Sequence, residues 1–219
     1  MIKAEEDVPQ LIRFSPGAAN DITFMKNVSV PMGSILVFDR AYHDYNHLDR
    51  WTNEGVTWVT RTRRTMVIQK LFEKNVTDYQ RSRGVVTDTI VCLGHNHGDK
   101  ITKVQARLIV YFDQASDRRF QFLTNNLEYS PLTIAHLYKQ RWQIETLFKR
   151  IKQNYPLRNF LGDNENAIKI QIWCALIADL LLKTIQSRTV KKWSFTNLRS
   201  IIRLHLMTYI DLLKFLNKP

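Results

Sequence analysis

The stretch SILVFD (34–39), followed by RAYHDYNHLDRWTNEG (40–55) and GVTWVTRT (55–62), decides the fold. The run from Ile35 to Phe38 is apolar at consecutive positions, the pattern of a central strand buried on both faces, and it stops at Asp39. The next segment has helical spacing and reaches the breaker Gly55, after which GVTWVTRT returns as a second strand. Strand, helix and strand with short connections make a βαβ unit, so a parallel pair in an α/β sheet is expected. Ligands of such sheets collect beyond the carboxyl ends of the strands, which makes Asp39 a candidate site residue. Taken alone, its carboxylate would serve equally well as a helix N-cap or as a surface partner of Arg40.

Outward from this unit, MIKAEE and QLIRFS read as short strands around the turn Asp7-Val8-Pro9, and SPGAANDITFMKNV as a loop entering a helix at Asn20 or Asp21. Downstream, residues 63–127 hold four segments rich in Arg, Thr and Val: TMVIQKLF, GVVTDTIVCL, VQARLIVYF and RRFQFLTN. Gly84, the Gly94–Gly98 turn and residues 113–117 separate them, which predicts a mostly antiparallel insertion. The chain therefore divides into a core of residues 1–62 plus 128–219 and a β-rich insertion over 63–127. Behind Ser130-Pro131, a cap and first-turn proline, LTIAHLYKQRWQIETLFKRIKQNY predicts one long amphipathic helix. NAIKIQIWCALIADLLLKTIQSR and FTNLRSIIRLHLMTYIDLLKFL predict two more. The apolar run 170–185 is broken by Asp179 and Lys183 and is short for a membrane span, so it reads as a buried helix. The five tryptophans, Trp142 and Trp173 among them, read as core or helix-interface residues.

A formal net charge of +12 over 219 residues, with cations spread along the chain, points to a polyanionic partner, nucleic acid first. No basic amphipathic anchor points to a membrane, and MIKAEEDVPQ has no apolar signal region. Cys92 and Cys174 are too few for a disulfide framework and fit a reducing cytosol. Cys92, His95 and His97 lack a fourth ligand for zinc and read as turn chemistry.

In YKQRWQIETLFKRIKQ (138–153) one acid, Glu145, stands among cations. At helical spacing Tyr138, Arg141, Glu145 and Lys152 share a face. The plain reading pairs Glu145 with Arg141 and Lys149 at i,i+4, worth a few tenths of a kcal/mol. The sharper reading is a carboxylate that holds a hard cation, flanked by groups that grip phosphates.

The spacing Y-x2-R-x3-E-x6-K is matched in full by Tyr138, Arg141, Glu145 and Lys152. With FDRAYHDY, the strand Gly55–Arg61, FLTN (122–125) and RWQIE, it resembles bacterial insertion-sequence transposases of the DDE class that carry the YREK signature. The resemblance spans about residues 40 to 175. It implies an RNase H-like core with a β-rich insertion. Asp39 would be the second acid and Glu145 the third, and an intact enzyme would bind two divalent ions, Mg2+ or Mn2+. It also implies DNA grip by Tyr138, Arg141 and Lys152, with Arg61 a further DNA contact. Phe120 stands where an aromatic could stack on an unpaired base, or else is an insertion-core aromatic. Implied partners are double-stranded DNA (element ends and target) and a homodimer in the synaptic complex, in the bacterial cytoplasm at the nucleoid.

The family's first acid lies on a first core strand upstream of the hairpin, so that strand is expected to be missing here. Asp7 and Asp21 do not stand in its place. Two functions follow: a transposase that cleaves and transfers DNA strands, here without its first acid, or a catalytically inactive remnant that binds DNA, dimerises or inhibits an intact transposase. A third, a general basic RNase H-like nuclease, predicts cleavage without preference for element ends.

Overall fold

The computed structural model describes residues 1–3, 8–9, 11–12, 14, 25, 28–42, 44–97, 100–157 and 160–217. Asp7, Asp21 and the expected helix start at Asn20 or Asp21 lie outside the described residues, as do the side chains of His95 and His97. The chain divides into two compact units, residues 15–142 and residues 1–14 with 143–219.

The 15–142 unit is built on a six-stranded mixed sheet. Its strands are β3 (Ile35–Val37), β4 (Thr57–Arg61), β5 (Ile68–Glu73), β6 (Val85–His97), β7 (Lys100–Asp113) and β8 (Arg118–Thr124), in the order β3-β4-β8-β7-β6-β5. Strands β3 and β4 are parallel, with Val37 opposite Val59, and every other pairing is antiparallel. The parallel pair is joined by the helix α1 (Tyr45–Asn53), whose N-cap Asp44 accepts the Asn46 N–H at 2.9 Å. Its inner face buries Leu48 and Trp51, and Trp51 packs on Phe38 with ring centroids 5.4 Å apart. The βαβ unit and the four antiparallel strands of 63–127 thus form as expected, and β8 joins them by pairing with β4.

One expectation fails here. SILVFD is not a central strand: among the described residues β3 is a three-residue edge strand with Ile35 41% exposed, although Leu36 and Phe38 are buried and Val37 packs against the Val59, Ile109 and Phe122 cluster. An apolar run records how much surface is available for burial, not whether a neighbour lies on each side.

The expected long helix is also two. α2 (Asp78–Ser82) precedes β6, and after β8 come α3 (Pro131–Gln140) and α4 (Trp142–Asn154). At Arg141 the backbone stays helical, but its N–H bonds back to Tyr138 C=O at 3.1 Å, an i−3 bond that closes α3. Ser130 caps α3 through the Thr133 N–H, and its Ile134 and Tyr138 bury against Val59, Ile109 and Phe122 of the sheet. Two such side chains one turn apart are worth roughly 1.5–3 kcal/mol each, enough to seat the helix.

The other unit has the hairpin β1 (Ile2–Lys3) and β2 (Val8–Pro9), with Ile2 opposite Pro9. Its second strand falls on the expected turn. The helices are α4, α5 (Glu165–Ser187), α6 (Phe195–His205) and α7 (Leu212–Leu216). FTNLRSIIRLHLMTYIDLLKFL is therefore two helices, because Asp211 caps a new one through the Lys214 N–H. α5 is not a buried helix: Ala175, Asp179 and Leu182 face inward, while Ile170, Trp173, Ile177, Leu180 and Leu181 are exposed. Trp142 and Trp173 are exposed too, against expectation, although Trp173 meets Phe14 edge-on at 5.8 Å. Buried Asp179 is held by Arg150 of α4 through two bonds of 2.9 Å.

Candidate active site

Asp39 lies just beyond the carboxyl end of β3, beside the carboxyl end of its parallel neighbour β4. The Phe38 N–H makes one more bond to Val59 C=O at 3.2 Å, and the chain then enters a 3-10 turn over Arg40–Tyr42. Asp39 caps that turn, its Oδ1 accepting the Ala41 N–H at 3.1 Å, as the plain reading had it. Its Oδ2 faces Arg141 Nη1 at 3.8 Å, an ion pair longer than a hydrogen bond, and the side chain is 37% exposed. Lone pairs therefore remain on both oxygens, and this donor chemistry fits a hard divalent cation. Among the described residues no three His, Cys, Asp or Glu side chains group as a metal cluster.

A ladder of rings and guanidinium groups leads away from this carboxylate. Arg61 ends β4 opposite Phe122, and its guanidinium lies 5.0 Å from the Phe120 ring and 6.0 Å from the Tyr138 ring. Arg141 lies 5.6 Å from the same Tyr138 ring. Phe122 completes the stack, parallel to Phe120 at 5.9 Å and tilted on Tyr138 at 5.1 Å. Each cation over a ring is worth about 0.5–2 kcal/mol, so Tyr138 orients both arginines. Burial pushes the Tyr138 phenol above its ordinary pKa; Arg141 and Arg61 oppose that shift and Asp39 adds to it. Phe120 is half-buried and packs against the core cluster, so its core role is real, and it also meets Arg61.

The 15–142 unit thus gathers Asp39, Arg61, Phe120, Tyr138 and Arg141. Glu145 and Lys152 belong to the other unit, on α4, where a spacing of seven places them on one side of the helix. Glu145 is half-buried in the first turn and Lys152 is exposed. Leu147 and Ile151 seat α4 against Ala175 of α5, and the Arg150–Asp179 pair fixes its rotation.

The profile of the family described as Transposase DDE domain matches residues 2–181. The chain belongs to that family. A Sinorhizobium fredii protein named as a transposase is 28% identical over 179 residues, 82% of this chain and 50% of the relative. A Geobacillus stearothermophilus protein named as a transposase for insertion sequence element IS5377 is 30% identical over 158 residues, 72% of this chain and 41% of the relative. A Synechocystis protein named as a transposase for insertion sequence element IS4SA is 29% identical over 183 residues, 80% of this chain and 48% of the relative. The transposase domain chain thus spans about half the length of the curated relatives it matches. Its mixed α/β sheet is consistent with an RNase H-like DDE domain, and domains of this family generally use divalent metal ions. No helix among the described residues is long and apolar enough to cross a membrane.

Sequence reasoning missed one support of the transposase domain's site. Arg107 of β7, fully buried, donates from Nε to Asp88 Oδ1 of β6 at 2.7 Å and from Nη2 to Oδ2. Its Nη1 reaches the carbonyl of Tyr129, next to the Ser130 cap of α3. The signal was readable: each of the apolar strands VVTDTIV and VQARLIV carries one charge, of opposite sign.

Proposed function

We propose that this chain is the catalytic part of a DNA transposase that nicks DNA at insertion-sequence ends and joins the freed 3′-hydroxyl to target DNA. The observation that carries the reading is the grouping of one available carboxylate, Asp39, with the Arg61–Tyr138–Arg141 ladder in a chain of net charge +12. Asp39 and Glu145 are the residues that would hold Mg2+ or Mn2+, with Asp39 the second acid and Glu145 the third. When bound, two such ions activate the attacking water or 3′-hydroxyl and stabilise the leaving oxygen of an in-line displacement. Arg61, Arg141 and Lys152 neutralise backbone phosphates at the ends of the element, and Tyr138 holds the arginines in register for them. Phe120 offers a ring to an unstacked base at the end of the ladder. Residues 1–62 with 128–219 form the catalytic core in this reading, and 63–127 an insertion into it. The reaction takes place on nucleoid DNA in the bacterial cytoplasm, with two copies of the chain pairing two ends.

The test is a nicking assay on DNA containing the element's ends, with Mg2+ or Mn2+. The expected result is cleavage that depends on the metal, prefers those ends and is abolished by Glu145→Ala. DNA binding without cleavage would replace this reading with the inactive DNA-binding remnant or inhibitor. Cleavage without preference for the ends would point to a general nuclease.

A further inference from the structure

Beside Asp39 the 15–142 unit has an open hollow lined by Asp39, Arg40, Ala41, Arg63, Arg64 and Thr65. Two turns build it, one after each strand of the parallel pair. The first is the 3-10 turn in which the Tyr42 N–H bonds Asp39 C=O at 3.1 Å. The second follows β4: the Thr62 N–H extends the ladder to Gln121 C=O at 3.0 Å, and the Met66 N–H closes the turn on Arg63 C=O at 3.2 Å. Arg63 ties the two together, donating to the carbonyls of both Arg40 and Ala41. The guanidinium of Arg63 is therefore structural, and it fixes the spacing of the turns. Arg40, Arg64 and Thr65, at the centres of the turns, are exposed. Three guanidinium groups against one carboxylate leave the hollow net positive, and that carboxylate is already faced by Arg141 at 3.8 Å.

We infer that this hollow is a binding subsite for a nucleic-acid backbone phosphate, separate from the Tyr138 ladder, with Arg40, Arg64 and the Thr65 hydroxyl as its donors and Arg63 as the positioning residue. A hollow of this charge beyond the ends of parallel strands suits a phosphodiester oxyanion, and arginine suits its planar, two-pronged acceptance. The inference rests on the proposal above that the chain binds DNA. It adds a second hold on the strand beside Asp39.

The experiment is the salt dependence of binding to a random-sequence duplex of about 30 bp, measured by fluorescence anisotropy. The parent chain is compared with Arg40→Gln/Arg64→Gln and with a control of equal charge change, Arg118→Gln/Arg119→Gln, at the exposed start of β8. Each phosphate left without its cation should lower the slope of log K against log salt by about 0.9, or on the order of 8-fold in affinity at 0.1 M salt. The hollow variant is expected to release one to two phosphates in this way while the control keeps the parent slope. Equal reductions in both variants, or an unchanged hollow variant in a parent that binds, overturn the subsite and leave the transposase reading standing. A parent chain that does not bind the duplex overturns that reading and the subsite with it.

Discussion

Replacing Arg107 with methionine strands a carboxylate in the middle of the sheet. Asp88 is almost fully buried, and Arg107 is the guanidinium that pairs both of its oxygens. Removing one partner of a buried ion pair costs about 3–5 kcal/mol, because the remaining charge keeps its desolvation penalty. The Tyr129 carbonyl also loses its donor, which adds about 1–3 kcal/mol. The total is a large share of the 5–15 kcal/mol typical of a folded domain. The double variant Arg107→Met/Asp88→Leu removes the stranded charge and should recover most of the loss, leaving about 1–3 kcal/mol for the carbonyl left unpaired. Urea unfolding followed by tryptophan fluorescence reads both, since Trp51 and Trp58 are completely buried in the same unit. A single variant within about 1 kcal/mol of the parent, or a double variant as damaged as the single, would refute this account of the pair.

Gly84 has φ +99°, and a Cβ there would lie 2.2 Å from the Phe112 carbonyl oxygen, whereas Gly33, at φ +81°, has nothing within 4 Å. Thermal melts should therefore show Gly33→Ala losing only the left-handed penalty of about 1–2 kcal/mol, and Gly84→Ala losing distinctly more. Tyr155 gives a pH dependence: burial, helped by Asp179 and opposed by Arg199 and Arg150, pushes its phenol up from 10.0 to about 12. Above pH 10 the unfolded chain releases this proton while the folded chain keeps it, so stability is complete below pH 10 and falls between pH 10 and 12. The phenol is only partly buried, so the loss should be about 1 kcal/mol, and urea titrations of Tyr155→Phe should lack it.

Much of this fold was legible because its signals are local. Gly55 at positive φ, the Asp44 cap and the Ser130-Pro131 start of α3 each follow from one or two residues. The edge position of β3 was not legible, since the neighbours of a strand are chosen by distant segments. Nor was the break at Arg141: LYKQRW contains no glycine or proline, and only the hydrogen-bond register changes there. In the candidate site, the sequence put Asp39, Tyr138 and Arg141 forward by type and spacing. The role of Arg61 as a bridge between the Phe120 and Tyr138 rings depends on the β4–β8 register, which no local pattern encodes. Arg63 was missed for the same reason, because its acceptors are the carbonyls of Arg40 and Ala41, more than twenty residues away.

The division of the chain also orders its making. Residues 15–142 are continuous, so their sheet can close as soon as that stretch leaves the ribosome. The other unit joins residues 1–14 to residues 143–219, and the Phe14–Trp173 contact waits for a tryptophan made well after residue 142. At ordinary translation speeds, residues 143–219 take about 4–15 s to emerge. Through that interval the nascent chain carries Asp39 in a finished setting, while Glu145 still lacks the α5 helix that seats its own. The acid made later is therefore the one whose surroundings depend on a helix made later still.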